Sequence, residues 1–212
     1  MDLMTADLDV RKPANRPSRR HYLVDAAVEL FSLEPWEVIT VADIVERAGM
    51  TPATFYYHFS SREELLEEIV QDFARTWVAM VERLLDMADT PDALCDVAVA
   101  LLDEIDGAGR EARIFFLSTA KEPLLAERIR GDARRQLIRL AADAVRRLIP
   151  DRDPARAAVS GVAMVVLYEM AARSRLGLAE PHRAIGPRRF RAELAKLSRV
   201  ATGLAPIAEP TA

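Results

Sequence analysis

Apolar residues recur along this chain at spacings of three and four, and strict alternation is nowhere long enough to mark a strand, so the pattern predicts helices throughout. Leu23, Ala26, Ala27, Leu30 and Phe31 trace the inner face of a first helix that starts near Ser18 and stops before Glu34-Pro35. Val41, Ile44, Val45 and Ala48 trace a second, short one. Thr40 precedes it with Asp43 three residues on, the spacing of a capping box, and Gly49 supplies a left-handed stop. Thr51-Pro52 restarts a helix at once, because the hydroxyl can cap free N–H groups and proline at the first position sacrifices no hydrogen bond. Phe55 and Phe59, four apart, share the inner face of this third helix.

Ser61-Arg62-Glu63-Glu64 opens a fourth helix whose stripe of Leu66, Ile69, Val70, Phe73, Trp77, Met80 and Leu84 reaches about residue 87. Thr90-Pro91 begins a fifth through Leu94, Val97, Leu101, Leu102 and Ile105, which Gly107-Ala108-Gly109 is expected to close. A further helix holds Ile114, Phe115 and Leu117. After a turn at Pro123 a long amphipathic stretch carries Ile129, Leu137, Ile138, Ala141, Val145 and Leu148 to Pro150. Asp153-Pro154 caps an apolar helix to about Arg175, and Gly186-Pro187 starts a last one with Phe190, Leu194, Leu197 and Leu204. The expected fold class is therefore all-α, with about nine helices and no internal repeat.

Composition narrows the function. Half of the 212 residues are hydrophobic, enough to bury a real core. The most apolar stretch, Ala155 to Ala172, is interrupted by Ser160 and Gly161 and carries Glu169, so it reads as a buried helix and not a membrane span. The start, Met1-Asp2-Leu3-Met4-Thr5-Ala6-Asp7, lacks the basic and apolar regions of a secretory signal, and the expected location is the cytoplasm. A single cysteine, Cys95, permits no intrachain disulfide and reads as a core residue. There is no glycine-rich phosphate loop, no nucleophile elbow, and no metal-ligand spacing among His21, His58 and His182. The expectation is a protein that is not an enzyme and holds no cofactor or metal.

The net charge of -4 speaks against a nucleic-acid partner only until its distribution is considered. Residues 11 to 20 carry five cations and no carboxylate, on a segment, 1–17, that has two prolines and no periodicity and reads as a flexible basic arm. Two short helices joined by a tight turn at Gly49, packed on a preceding helix, are what a tri-helical reader of the DNA major groove requires. The second of the pair leaves Ala53, Thr54, Tyr56, Tyr57 and His58 outward or lateral, groups suited to phosphate oxygens and thymine methyls.

In these residues the chain resembles the TetR family of bacterial repressors. The resemblance runs in order and at the right spacings through Ala26-Ala27 to Leu30-Phe31, Thr40 to Ile44, Ala48-Gly49-Met50-Thr51, Thr54 to Phe59, and Arg62 to Leu65, covering about residues 19 to 70. Three positions depart from it: Pro35 stands where glycine is common, Ala53 likewise, and Arg62 replaces a lysine. The resemblance implies a helix-turn-helix unit over 18–62 and a helical effector-binding and dimerisation unit over 63–212. It implies that Thr40, Thr51, Tyr56, Tyr57, His58 and Arg62 lie at phosphates and that Pro52, Ala53 and Thr54 approach bases, with Arg16, Arg19 and Arg20 along an adjacent groove. The partners it implies are a palindromic double-stranded operator, a second copy of the chain and a small, largely apolar effector. The helix after Pro154, with small residues Ala157, Ala158, Gly161 and Ala163, and the last helix, with Phe190, Leu194 and Leu197, are expected to self-associate. Leu102, Ile105, Phe115, Phe116, Met164, Leu167 and Tyr168 are the expected effector lining, and Glu169 is expected at a solvated flank. The rival reading is a helical adaptor that keeps the reader fold and binds protein instead.

Overall fold

The computed structural model describes residues 19–117, 122–177 and 182–204. The basic arm, including Arg16, lies outside the described residues. Among those described, nine α-helices and one 3-10 turn follow in order: α1 (Arg19–Leu33), the 3-10 turn (Trp36–Val38), α2 (Val41–Arg47), α3 (Pro52–His58), α4 (Arg62–Met87), α5 (Pro91–Phe116), α6 (Leu124–Leu148), α7 (Pro154–Gly177), α8 (His182–Ile185) and α9 (Pro187–Ala201). The fold is all-α, as the periodicity requires. The 3-10 turn and α8 are too short to show a period, and the pattern did not announce them.

The first three helices close around Leu23, Ala27, Ile44, Phe55 and Phe59, each at most 1% exposed, and the first turn of α4 completes that core with Leu65 and Leu66. A fully buried Leu, Ile or Phe contributes about 1.5–3 kcal/mol, so this small unit depends on each of them. From there α4 buries Ile69, Val70, Phe73, Trp77, Val78, Val81 and Leu85 along its length. It packs on α1 at one end and on α5 and α6 further along. One contiguous apolar cluster therefore runs from Leu23 in α1 to Tyr168 and Ala172 in α7, with no apolar gap where α4 begins.

The expected break at Gly107-Ala108-Gly109 is a kink inside α5. Gly109 adopts φ 53 and ψ -113, and helix resumes directly after it. Side chains rarely tolerate that region, whereas glycine enters it freely. The kink turns the second half of α5 onto α1, and Arg113 exploits the approach. Its Nε donates to the Ser32 carbonyl at the end of α1 (3.1 Å), and its Nη1 donates to the Leu176 carbonyl at the end of α7. Arg130 and Arg147 act alike, donating to the last carbonyls of α5 (Ile114 and Phe115, 3.0 Å each) and to the Leu85 and Ala88 carbonyls at the end of α4 (2.6 and 2.9 Å). Helix C-termini leave such carbonyls unpaired, and a planar cationic fork satisfies two at once.

Helix α7 packs chiefly on α6, with α5 and α9 beside it. Ala157 and Gly161, expected to serve self-association, are buried within the chain. A Cβ on Gly161 would stand 2.7 Å from the Ile138 carbonyl oxygen and 2.8 Å from the Ala142 nitrogen, so the close approach is between α7 and α6. Phe190 and Leu194 are likewise buried, in a satellite cluster with Leu102 and Ala171. Of the expected residues Ala158 of α7 and Leu197 of α9 are exposed, and beside them lies an apolar stripe of Val159, Val162, Val166 and Met170 on α7, with Val200 on α9. Among the described residues α7 alone is long and apolar enough to cross a bilayer, with mean hydropathy 1.4 over its most apolar window. Glu169 is not at a solvated flank: Arg134 grips both of its oxygens, the Nε bond measuring 2.8 Å, and only 18% of the carboxylate side chain is exposed. Cys95 is a core residue, its Sγ 3.2 Å from Thr202 Oγ1, and burial pushes its thiol pKa up.

Candidate nucleic-acid interface

Helix α2 starts with a complete capping box. The Asp43 N–H donates to Thr40 Oγ1 (3.2 Å), while the Thr40 N–H and hydroxyl both donate to Asp43 Oδ2 (2.7 Å each). These hydrogen bonds, the hydroxyl's foremost, hold the Asp43 pKa below the usual carboxylate range. At the other end Gly49, with φ 64, turns the chain and Met50 N–H closes on the Val45 carbonyl (2.8 Å). Thr51 then caps α3, accepting from the Thr54 N–H (3.3 Å), and Pro52 occupies the first turn. Only Met50 stands between Gly49 and Thr51, so this short turn together with the buried Ile44 and Phe55 sets the angle between α2 and α3.

Two phenylalanines anchor α3. Phe55 and Phe59 are 0% and 1% exposed with ring centroids 5.7 Å apart. Their burial leaves Pro52, Ala53, Tyr56 and Tyr57 on one outer face, Tyr56 at 59% and Tyr57 at 83% exposure, with Thr54 and His58 half-buried at its edges. Tyr56 keeps one edge-to-face contact with Phe55 at 5.4 Å, while Tyr57 stands clear of the core. His58 lies edge-to-face against Tyr57 at 4.9 Å. Thr40 and Thr51 are exposed, Thr40 at the start of α2 and Thr51 at the start of α3, and each hydroxyl caps its own helix. Seven of the expected residues thus lie on α3 and its cap, Thr51, Pro52, Ala53, Thr54, Tyr56, Tyr57 and His58, and Thr40 lies at the start of α2.

The expected cations are placed differently. Arg19 is exposed at the start of α1. Arg20 lies over the Phe59 ring, 4.7 Å from its centroid, and pairs with Glu68 of α4. Arg62 stacks on Trp36 at 3.8 Å and donates to the Trp36 carbonyl in the 3-10 turn, at 3.1 Å, and to the Ile39 carbonyl just after it. Both are engaged by the fold, and so is Arg47, whose Nε donates to Glu29 Oε2 at 2.9 Å and ties α2 to α1. The reading from sequence gave Arg47 no role. The Trp36 platform for Arg62 lies 26 residues away in the chain, and no local pattern announces it.

The body holds an apolar cavity of about 40 Å3 between α4, α5, α6, α7 and α9. Of the expected effector residues, Met164 and Tyr168 line it. Leu102 and Leu167 belong to the satellite cluster beside Phe190, Ile105 is packed in the main core, and Phe115 and Phe116 join Phe73, Trp77 and Tyr168 in an aromatic cluster. The two phenylalanines also border a separate polar cleft with Arg130, Arg134, Glu169 and Arg173. Leu101, Leu137 and Ser198 line the cavity without having been expected there. Leu101 and Leu102 are neighbours about 100° apart around α5, and the neighbouring helices decide which of them faces the cavity. Among the described residues no cluster of His, Cys, Asp or Glu is arranged to hold a metal ion.

Residues 23–69, spanning most of this unit, match the family profile described as bacterial regulatory proteins, tetR family. The chain is 30% identical over 161 residues to the HTH-type transcriptional regulator BetI of Cronobacter sakazakii, across 73% of this chain and 79% of that protein. It is 33% identical over 79 residues to the HTH-type transcriptional repressor KstR2 of Mycolicibacterium smegmatis, a match that spans 37% of this chain and only 38% of that protein. In fold it is similar to a TetR-like transcriptional regulator from Rhodococcus sp. RHA1, with a TM-score of 0.69 and 19% identity over 91% of this chain and all of that one. The capped α2–α3 unit, the profile match across it and the likeness to BetI over most of both chains converge: the chain belongs to the TetR family of helix-turn-helix regulatory proteins.

Proposed function

We propose that the chain is a homodimeric transcriptional repressor that reads a palindromic operator with α3 and is released from it by a small, largely apolar ligand. The observation that carries the reading is the outer face of α3, where Tyr57 is 83% exposed on a helix that Phe55 and Phe59 hold rigidly from beneath. In this reading Pro52, Ala53 and Thr54 meet base edges, while Thr40, Thr51, Tyr56, Tyr57, His58 and Arg19 meet phosphates. Arg20 and Arg62 stand behind the interface and position α1 and the turn before α2.

A single unit of this size contacts few base pairs, whereas a two-fold dimer reads two half-sites about 34 Å apart or a multiple of that. The surface we assign to the second copy is the stripe Val159, Val162, Val166 and Met170 with Leu197 and Val200 of α9, which packs beside α7. Ligand entry into the body cavity pushes on Val81 and Leu85 of α4, and α4 carries the displacement to Leu65 and Leu66 in the reader core. A hundredfold loss of operator affinity needs only about 2.8 kcal/mol of coupling.

Gel retardation of the DNA upstream of the chain's own gene tests the reading. Binding is expected to weaken steeply between about 50 and 200 mM salt. Tyr57→Ala is expected to weaken it about tenfold while sedimentation still reports a dimer, because the side chain touches little else. Absence of retardation by the wild type at low salt would favour a protein-binding adaptor instead.

A further inference from the structure

Ser198 of α9 is 2% exposed, it lines the body cavity, and its hydroxyl has no hydrogen-bond partner among the described residues. A serine inside a helix usually donates back to the carbonyl four residues earlier. This one does not. A buried hydroxyl left unmatched is costly, so native proteins rarely keep one without a use for it. The other polar group in the lining, the Tyr168 hydroxyl, reaches the Leu101 carbonyl only at 3.4 Å, a long bond.

The remaining walls are apolar, with Val81 and Leu85 from α4, Leu101 from α5, Leu137 from α6, and Met164 and Val165 from α7. None of the twelve lining residues is Asp, Glu, Lys, Arg or His. A charged ligand would therefore be stripped of water with nothing to compensate it, whereas a neutral one carrying a single polar group would be matched at Ser198. At about 40 Å3 the cavity is smaller than the roughly 150 Å3 that admits benzene elsewhere, so an occupant must part the helices. Met164, unbranched and flexible, is the wall that can yield.

We infer that this cavity takes an uncharged, apolar ligand bearing one hydroxyl or carbonyl group, bound through Ser198, an assignment that rests on the proposed ligand-released repression and specifies its ligand class. The assignment excludes fatty carboxylates and lipophilic cations from this site. It also gives α9 a share in the response, since Ser198 is flanked on that helix by the exposed Leu197 and Val200.

Four probes that differ at one end, 1-hexanol, hexanoate, hexylammonium and hexane, test it on the full chain, with binding read from tryptophan fluorescence and from the melting temperature. Hexanol is expected to bind at least about tenfold more tightly than either ion. Ser198→Ala is expected to weaken hexanol about fivefold, the loss of one neutral hydrogen bond, and to leave hexane binding and the melting temperature undiminished. Equal or tighter binding of an ion, hexanol binding indifferent to Ser198→Ala, or no binding of any probe overturns the assignment. Release of operator DNA, measured separately, tests the parent reading. Ser198-dependent hexanol binding that leaves DNA bound keeps the ligand class and overturns ligand-released repression. Release by hexanoate with no hexanol binding does the reverse.

Discussion

Arg62 stands where the family resemblance suggests a lysine, and its surroundings explain the difference. A planar guanidinium can stack on Trp36 and donate to the Trp36 and Ile39 carbonyls together, which a compact ammonium cannot. Arg62→Lys is accordingly expected to destabilise the chain by about 1–2 kcal/mol, seen as a lower urea midpoint with an unchanged slope. An unaltered midpoint would mean that the stack contributes nothing. The same residue marks where sequence reading stops. Phe55, Phe59, Tyr56 and Tyr57 could be sorted into inner and outer positions from their spacing on one helix. Arg62 could not, because its partners arrive from 23 and 26 residues away and the residue type alone suits a phosphate as well as a carbonyl.

Among the elements, α2 and α3 were the most legible because their boundaries are local chemistry: Thr40 with Asp43, Gly49, and Thr51 with Pro52 each act within four residues. The capping box makes α2 pH-sensitive with a definite sign. The folded pKa of Asp43 is depressed, so its stabilising contribution is present above the pKa of the unfolded chain, near 4, and is lost as pH falls through the lower folded value. The protection factors of the Asp43 and Ile44 amides, with exchange referred to the intrinsic rate at each pH, are expected to fall as the pH drops below the unfolded-chain value and before the amides of α4 lose protection. Simultaneous loss would place the acid sensitivity elsewhere. Helices α6 and α7 were legible in extent but not in the face each turns to the other. Small residues at Ala157 and Gly161 announce close approach, yet they do not say to what, and the occupant is α6 of the same chain. Gly161→Ala must force the two helices apart against backbone atoms and is expected to cost about 1–3 kcal/mol, measurable by denaturant unfolding. A neutral result would show that the pair can separate freely.

At the scale of the molecule, a charge of -4 is compatible with the proposed DNA reading because the cations are unevenly placed. Arg20, Arg47 and Arg62 are each engaged by the fold, so in the proposed reading phosphate neutralisation falls to Arg19 and to the basic segment before α1. One apolar core runs from the first three helices to α7, and α4 threads it, which would give the proposed ligand a mechanical route to α3. The route was foreseeable from the unbroken stripe of α4. The ligand's lining was not, because five helices converge on the cavity and periodicity along one helix does not state which neighbour it will meet. The central claim is that two copies of α3 read DNA together. Selection of bound duplexes from a random pool tests it most directly. The expected result is enrichment of an inverted repeat whose half-sites are centred one helical turn or a whole multiple apart, about 34 Å per turn. Enrichment of no sequence, or of an unpaired half-site at full affinity, would contradict it.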